Sequence, residues 1–174
     1  MDLRWLAMFG AVALGGCAVQ GDGTGAGGAA VSAPVAAAPS VYVMRHLQKA
    51  DASADPALSE EGRANAQRLI AQFAADPPSV IYVSKYLRAR ETAAPLAARL
   101  GLTPKVYDPA DAPALIAAVA AERGTVLIVG HSNTVPDIVE RLGGTRPAPL
   151  AESDYGDIFH VAPDRQTHHV RLGQ

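Results

Sequence analysis

Arg45 and His46 stand side by side directly after the apolar run SVYVM, inside the stretch VMRHLQKAD. Two further apolar runs end in the same manner. SVIYVS (79–84) leads into Lys85 and Arg88, and TVLIVG (125–130) leads into His131, Ser132 and Asn133. Arginine and histidine in this company point to phosphoryl chemistry. A guanidinium group binds phosphate oxygens through fork-shaped, bidentate hydrogen bonds. An unprotonated imidazole between such groups can attack phosphorus and carry the phosphoryl group, and nearby cations favour the unprotonated form. A second imidazole, protonated, can neutralise charge on the equatorial oxygens. Arginines in this role need no metal. Each residue alone has a duller reading, as a hydrogen-bonded structural histidine or a solvated arginine. The gathering at three strand ends carries the inference, because pockets are where such groups collect.

The elements that must position these residues are legible from residue 40 onward. SVYVM, SVIYVS and TVLIVG are short apolar strands. LSEEGRANAQRLIAQFAAD is a helix with Ser59 as N-cap, Glu60 and Glu61 in its first turn and Ala66, Leu69, Ile70 and Phe73 at helical spacing. Pro77 and Pro78 separate it from the second strand. LRARETAAPLAARLG is a helix ending at Gly101, with Pro95 kinking it or marking its true start. PKVYD is a short strand, and DAPALIAAVAAERG a helix capped by Asp111 with Pro113 near its first turn. VPDIVERLGG is a further short helix. DIFHVAP and THHVRLG form a closing antiparallel pair around Pro163, Asp164 and Arg165. Strands that alternate with helices and are apolar throughout indicate an α/β fold, a three-layer α/β/α sandwich with a mostly parallel central sheet. In such sheets ligands bind beyond the carboxyl ends of the strands, where the arginines and histidines fall.

Four segments then resemble the histidine phosphatase, or phosphoglycerate mutase-like, superfamily, in the family's order. MRHLQK resembles its Arg-His-Gly signature. LSEEGRANAQRL resembles its Leu-Ser/Thr-x-x-Gly-x-x-x-Ala helix. VSKYLRARETAAPLA resembles its Ser-x-x-x-x-Arg-Ala-x-x-Thr-Ala segment, which places the second arginine on Arg88 and not Arg90. VLIVGHSNT resembles its Val-Gly-His-Ser segment. The resemblance implies a phosphoglycerate mutase-like fold and a metal-independent phosphomonoesterase without cofactor. His46 is then the phosphoacceptor, and Arg45, Arg88 and His131 form the phosphate pocket. His46 takes the phosphoryl group, the alcohol leaves with a proton, and water releases phosphate.

The chain departs from that pattern at Leu47, where the family has glycine; glycine is the more permissive residue in a tight loop, so the loop shape or the pocket mouth is expected to differ. Lys49 either adds positive charge there or is solvated. Many relatives carry a Glu proton donor after the second-arginine helix. This chain offers Asp108 and Asp111 there; Asp111 has its capping role, which leaves Asp108, with water or a substrate group as alternatives. The short segment between Leu100 and Ala114 leaves little room for a closing insertion, which favours hydrolysis over mutase chemistry. The substrate is expected to be a phosphorylated small molecule, or a phosphorylated headgroup or protein residue.

Rival readings are a non-catalytic lipoprotein that binds or senses a phosphate ligand, a metal site using His46, His131 and an acid together with His168 and His169, and a structural lipoprotein. A pure binder needs arginines but no nucleophile. Adjacent residues of one strand face opposite ways, so His168 and His169 cannot share one ion.

Composition bounds the rest. The chain has 174 residues, enough for one ordinary domain, and 49% of them are hydrophobic. With 15 basic and 17 acidic residues and 5% aromatics, it offers no nucleic-acid surface. Its single cysteine excludes an intramolecular disulfide. Residues 1–16 read as a signal peptide: Arg4, an apolar run from Trp5 to Leu14, then small residues. LGGC (14–17) resembles a bacterial lipobox, which implies lipidation of Cys17 and attachment to a membrane at the periplasmic face of the cell envelope. The Gly/Ala/Pro-rich stretch after Cys17, through residue 39, reads as a flexible tether, and 40–174 as the phosphatase domain.

Overall fold

A computed structural model describes residues 38–173. The expected signal peptide, Cys17 and nearly all of the expected tether lie outside the described residues. The elements run β1 (Ser40–Arg45), α1 (Glu60–Gln72), β2 (Val80–Ser84), α2 (Leu87–Leu100), β3 (Lys105–Tyr107), α3 (Ala112–Ala120), β4 (Thr125–Gly130), α4 (Val135–Arg141), β5 (Asp157–Val161) and β6 (Thr167–Arg171).

The helix ends follow local chemistry. Ser59 caps α1 by accepting from the Gly62 N–H at 3.0 Å, with Glu60 and Glu61 beside the positive end of the helix dipole. Asp111 caps α3 through the Ala114 N–H, and Gly101 ends α2 in the left-handed region at φ +67°. Pro95 stands inside α2 rather than at its start. The helix begins eight residues earlier, at Leu87, so Arg88 lies in its first turn, next to the end of β2.

The strand order is β3-β2-β4-β1-β5-β6. The pairings among β3, β2, β4 and β1 are parallel, whereas β5 pairs antiparallel with both β1 and β6. The sheet is therefore mixed, and the expected parallel character belongs to one part of it. Each face carries a core. Leu69 of α1, Phe73 at its C-cap and Leu96 of α2 pack with Met44, Ile81, Leu127 and Val129. Leu115 and Val119 of α3 and Ile138 of α4 pack with Val41, Val43, Val126 and Ile128 on the other. Every residue of β4 is buried, which is why TVLIVG is apolar without alternation. Among the described residues no helix is long and apolar enough to cross a membrane.

Two consequences of this topology position the site. β2, β4 and β1 are neighbours, and their carboxyl ends lie nearly level: Arg45 is opposite Gly130, and Val83 opposite Val129. β5 runs the other way along β1, with Met44 opposite Ile158. Its amino end, and the segment that leads into it, therefore arrive at this same edge.

Candidate functional site

His46 follows β1 and stays in the ladder, its N–H donating to Gly130 O at 2.9 Å. The residue is 4% exposed. Nδ1–H donates to the carbonyl of Leu47 at 2.8 Å, which fixes the tautomer and leaves the lone pair on Nε2. Burial, opposed by that hydrogen bond and reinforced by His131, Arg45 and Arg88, lowers the imidazole from 6.5 to about 4. The His46 imidazole is thus uncharged at neutral pH, with its Nε2 lone pair available.

His131 lies across from it, with ring centroids 5.3 Å apart. Arg88 Nη2 points a hydrogen at His131 Nδ1 over a long 3.4 Å, and on that tautomer Nε2–H donates to the buried Ser84 Oγ at 2.8 Å. Burial first, then Arg88 and Arg45, lowers His131 to about 4 as well. The sequence leads one to expect a protonated second imidazole. Both rings are instead uncharged at neutral pH, because burial disfavours the charged form and the two nearby guanidinium groups add to that effect.

The arginines are each stacked on a tyrosine. The guanidinium carbon of Arg45 lies 4.2 Å from the Tyr155 ring centroid, and that of Arg88 4.5 Å from Tyr86. Arg45 Nη1 donates to the carbonyls of Ala151 (2.7 Å), Glu152 (3.2 Å) and Asp154 (3.2 Å), so it fastens the segment before β5. Arg88 Nη1 approaches Asp55 at 3.7 Å. Two buried guanidinium nitrogens, Arg45 Nε and Arg88 Nη1, have no hydrogen-bond partner among the described residues. Buried donors left in this state are costly unless an acceptor reaches them.

These groups line one cavity of about 370 Å³ with Lys49, Tyr86, Ser132, Asn133 and Glu152. Arg45, His46, Arg88 and His131 are all brought together there. Asp108 is not: its carboxylate accepts from the Ala110 N–H at 3.0 Å, closing its own turn, and only Pro109 and Ala110 of that loop line the cavity. Lys49 does line it. Leu47 does not; it is fully buried among Leu58, Leu69 and Leu96, and its N–H donates to Thr92 Oγ1 at 3.0 Å. The residue in the family's glycine position thus fills the core and leaves the pocket mouth alone. His168 and His169 sit on β6 against His160 and Phe159, away from the cavity. Among the described residues no cluster of three or more His, Cys, Asp or Glu could hold a metal ion.

Sequence reasoning did not find Tyr86, Glu152, Tyr155 or the Arg88 partner Asp55. A tyrosine two residues before Arg88 was available as a signal. Glu152 and Tyr155 lie more than a hundred residues from Arg45 with no motif to join them.

Comparison with known proteins agrees with this geometry. The family model described as histidine phosphatase superfamily (branch 1) matches residues 41–110. No curated protein sequence matches the chain. Among solved structures, the protein histidine phosphatase SixA complexed with tungstate is similar at 23% identity, covering 75% of this chain and 94% of that one, with a TM-score of 0.56. Mycobacterial glucosyl-3-phosphoglycerate phosphatase with inorganic phosphate is similar at 17% identity, 79% and 98% coverage, and a TM-score of 0.60. A protein from Thermus thermophilus gives 19%, 78% and 99%, and 0.54. The family match covers residues 41–110, and the solved structures share the α/β fold of the chain.

Proposed function

We propose that this chain is a phosphatase of the histidine phosphatase superfamily that hydrolyses phosphomonoesters through a phosphohistidine on His46. The observation that carries the reading is the pair of buried guanidinium nitrogens without a hydrogen bond, Arg45 Nε and Arg88 Nη1, beside an imidazole whose Nε2 lone pair is free. A phosphate dianion supplies acceptors to both. The tungstate and inorganic phosphate held by two of the similar structures are oxyanions of the same kind.

The steps follow from the groups present. Nε2 of His46 attacks phosphorus in line, the P–N bond forms, and the bond to the leaving oxygen breaks. Nδ1–H, held by the Leu47 carbonyl, stabilises the imidazolium that develops. Arg45 and Arg88 neutralise the equatorial oxygens. Arrival of the dianion draws Arg88 toward it and favours a proton on His131 Nδ1, which then donates to an equatorial oxygen. Water attacks the phosphohistidine, the P–N bond breaks, and phosphate leaves with the proton from water.

The leaving group takes its proton from water or carries its own. Asp108 closes a turn, and Glu152, the one carboxylate lining the cavity among the described residues, is held below the usual carboxylate range by Lys49 and Arg45. That observation favours a second reading of the substrate, a phosphohistidine residue like that named for SixA, whose imidazole leaves more readily than an alkoxide.

The test is para-nitrophenyl phosphate turnover with EDTA present, followed by an alkyl phosphate and a phosphohistidine peptide. Turnover falling at least roughly a thousandfold in His46→Ala and a hundredfold in Arg88→Ala is expected. Turnover that needs added zinc sinks the metal-independent mechanism. Phosphate binding without turnover makes the protein a sensor instead. We also propose that Cys17 is lipidated and holds the enzyme to a bacterial envelope membrane at the periplasmic face; the sequence LGGC supports this.

A further inference from the structure

Glu152 stands at the mouth of the cavity with its two oxygens unequally used. Oε2 takes both nearby cations, Arg45 Nη2 at 3.3 Å and Lys49 Nζ at 3.4 Å. Among the described residues no hydrogen bond or ion pair reaches Oε1. The side chain is anchored through its own backbone, since Arg45 Nη1 holds the carbonyls of residues 151, 152 and 154. Side-chain exposure rises from 3% at Arg45 to 33% at Lys49 and 76% at Glu152, which orders the three from floor to mouth.

In-line attack by His46 Nε2 at the floor sends the departing group to the opposite side of phosphorus. The exposed lining residues are Ala110, Asn133 and Glu152, beside Lys49, whose side chain is 33% exposed against 15% for Arg88. Only Lys49 and Glu152 among these carry charge. Lys49 is already compensated by Oε2. The free charged acceptor a departing group meets there is Oε1.

We propose that Glu152 selects the group bonded to the phosphate, favouring one that brings an ammonium or N–H donor to Oε1 and disfavouring one that brings a carboxylate or second phosphate. The inference rests on the phosphate site described above but not on turnover. Two ligands of matched size test it, phosphoethanolamine with an ammonium and phosphoglycolate with a carboxylate. Their affinities are measured by calorimetry on the full chain carrying His46→Asn, so that neither is consumed. Phosphoethanolamine is expected to bind roughly three- to fivefold tighter, the size of an exposed charge contact. Adding Glu152→Gln brings the ratio toward one. Adding Lys49→Met, which removes the compensating cation, widens it. Equal affinities in the parent, a ratio that Glu152→Gln leaves unchanged, or failure of both ligands to bind overturns the proposal. Para-nitrophenyl phosphate turnover by the unmodified protein reports separately on the phosphatase reading.

Discussion

His46 keeps its lone pair on Nε2 because Nδ1–H is spent on the Leu47 carbonyl, 2.8 Å away. The same burial that frees this imidazole of its proton also ties folding to pH. His46 and His131 are both lowered from 6.5 to about 4 in the folded protein. Between those values the unfolded chain binds protons that the folded chain refuses. Stability contributed by these two sites is therefore present above 6.5 and lost as pH falls toward 4. The pair is coupled through Arg45 and Arg88, so the loss belongs to the two rings together. Urea midpoints across this window should fall with pH, and imidazole NMR resonances of His46 and His131 should titrate near 4. A resonance titrating near 6.5 in His46 would contradict the burial argument. Leu47, next to it, yields a different kind of expectation. Because its side chain is fully buried among leucines, Leu47→Ala should cost about 2–5 kcal/mol of unfolding free energy. Its preference among phosphate substrates should stay as it was; a changed preference with little loss of stability would return Leu47 to the pocket mouth.

At the scale of elements, the loop after β1 is set by the start of α1. Ser59 N–H donates to Gln48 O at 2.8 Å, and residues Lys49 and Leu58 form an isolated bridge. Gly62 sits where α1 crosses this loop, and a Cβ added there would collide with the Gln48 carbonyl oxygen. Backbone cannot yield as a flexible side chain does, so Gly62→Ala must displace either the helix or residues 46–49. The expected outcome is a melting temperature several degrees lower and a drop in kcat/KM of roughly tenfold or more, through misplacement of His46. An Ala variant with native kcat/KM would show that the loop is not braced there. The glycine of the GRANAQ segment is thus legible in the sequence as a motif position, while its cause, a carbonyl from fourteen residues upstream, is a tertiary contact. The strand and helix runs were legible because burial on both sheet faces makes them apolar and because Ser59, Asp111 and Gly101 are local caps. The start of α2 was not, since Pro95 is a stronger local signal than the uncapped turn at Tyr86. Glu152 and Tyr155 come to the site only because β5 runs antiparallel to β1. No local pattern encodes that pairing.

For the whole molecule, the site's place on the sheet and the proposed anchor bear on each other. β1 begins at Ser40, and the site lies at the opposite, carboxyl end of that strand. If Cys17 is acylated, residues 18–39 separate the lipid from β1. Those 22 residues lie between the proposed anchor and the amino end of β1, and the candidate site lies at the other end of that strand. Each buried methylene contributes roughly 0.8 kcal/mol, so one acyl chain binds reversibly and two or more hold the protein for long periods. Expression of the full chain in a Gram-negative bacterium fed labelled palmitate is the measurement. Label on the full chain, sedimentation with membranes, and loss of both in Cys17→Ser are expected, with phosphatase activity following the protein into the soluble fraction. Label retained by Cys17→Ser, or a full chain that stays soluble and unlabelled, would remove the anchor and leave the phosphatase site standing alone.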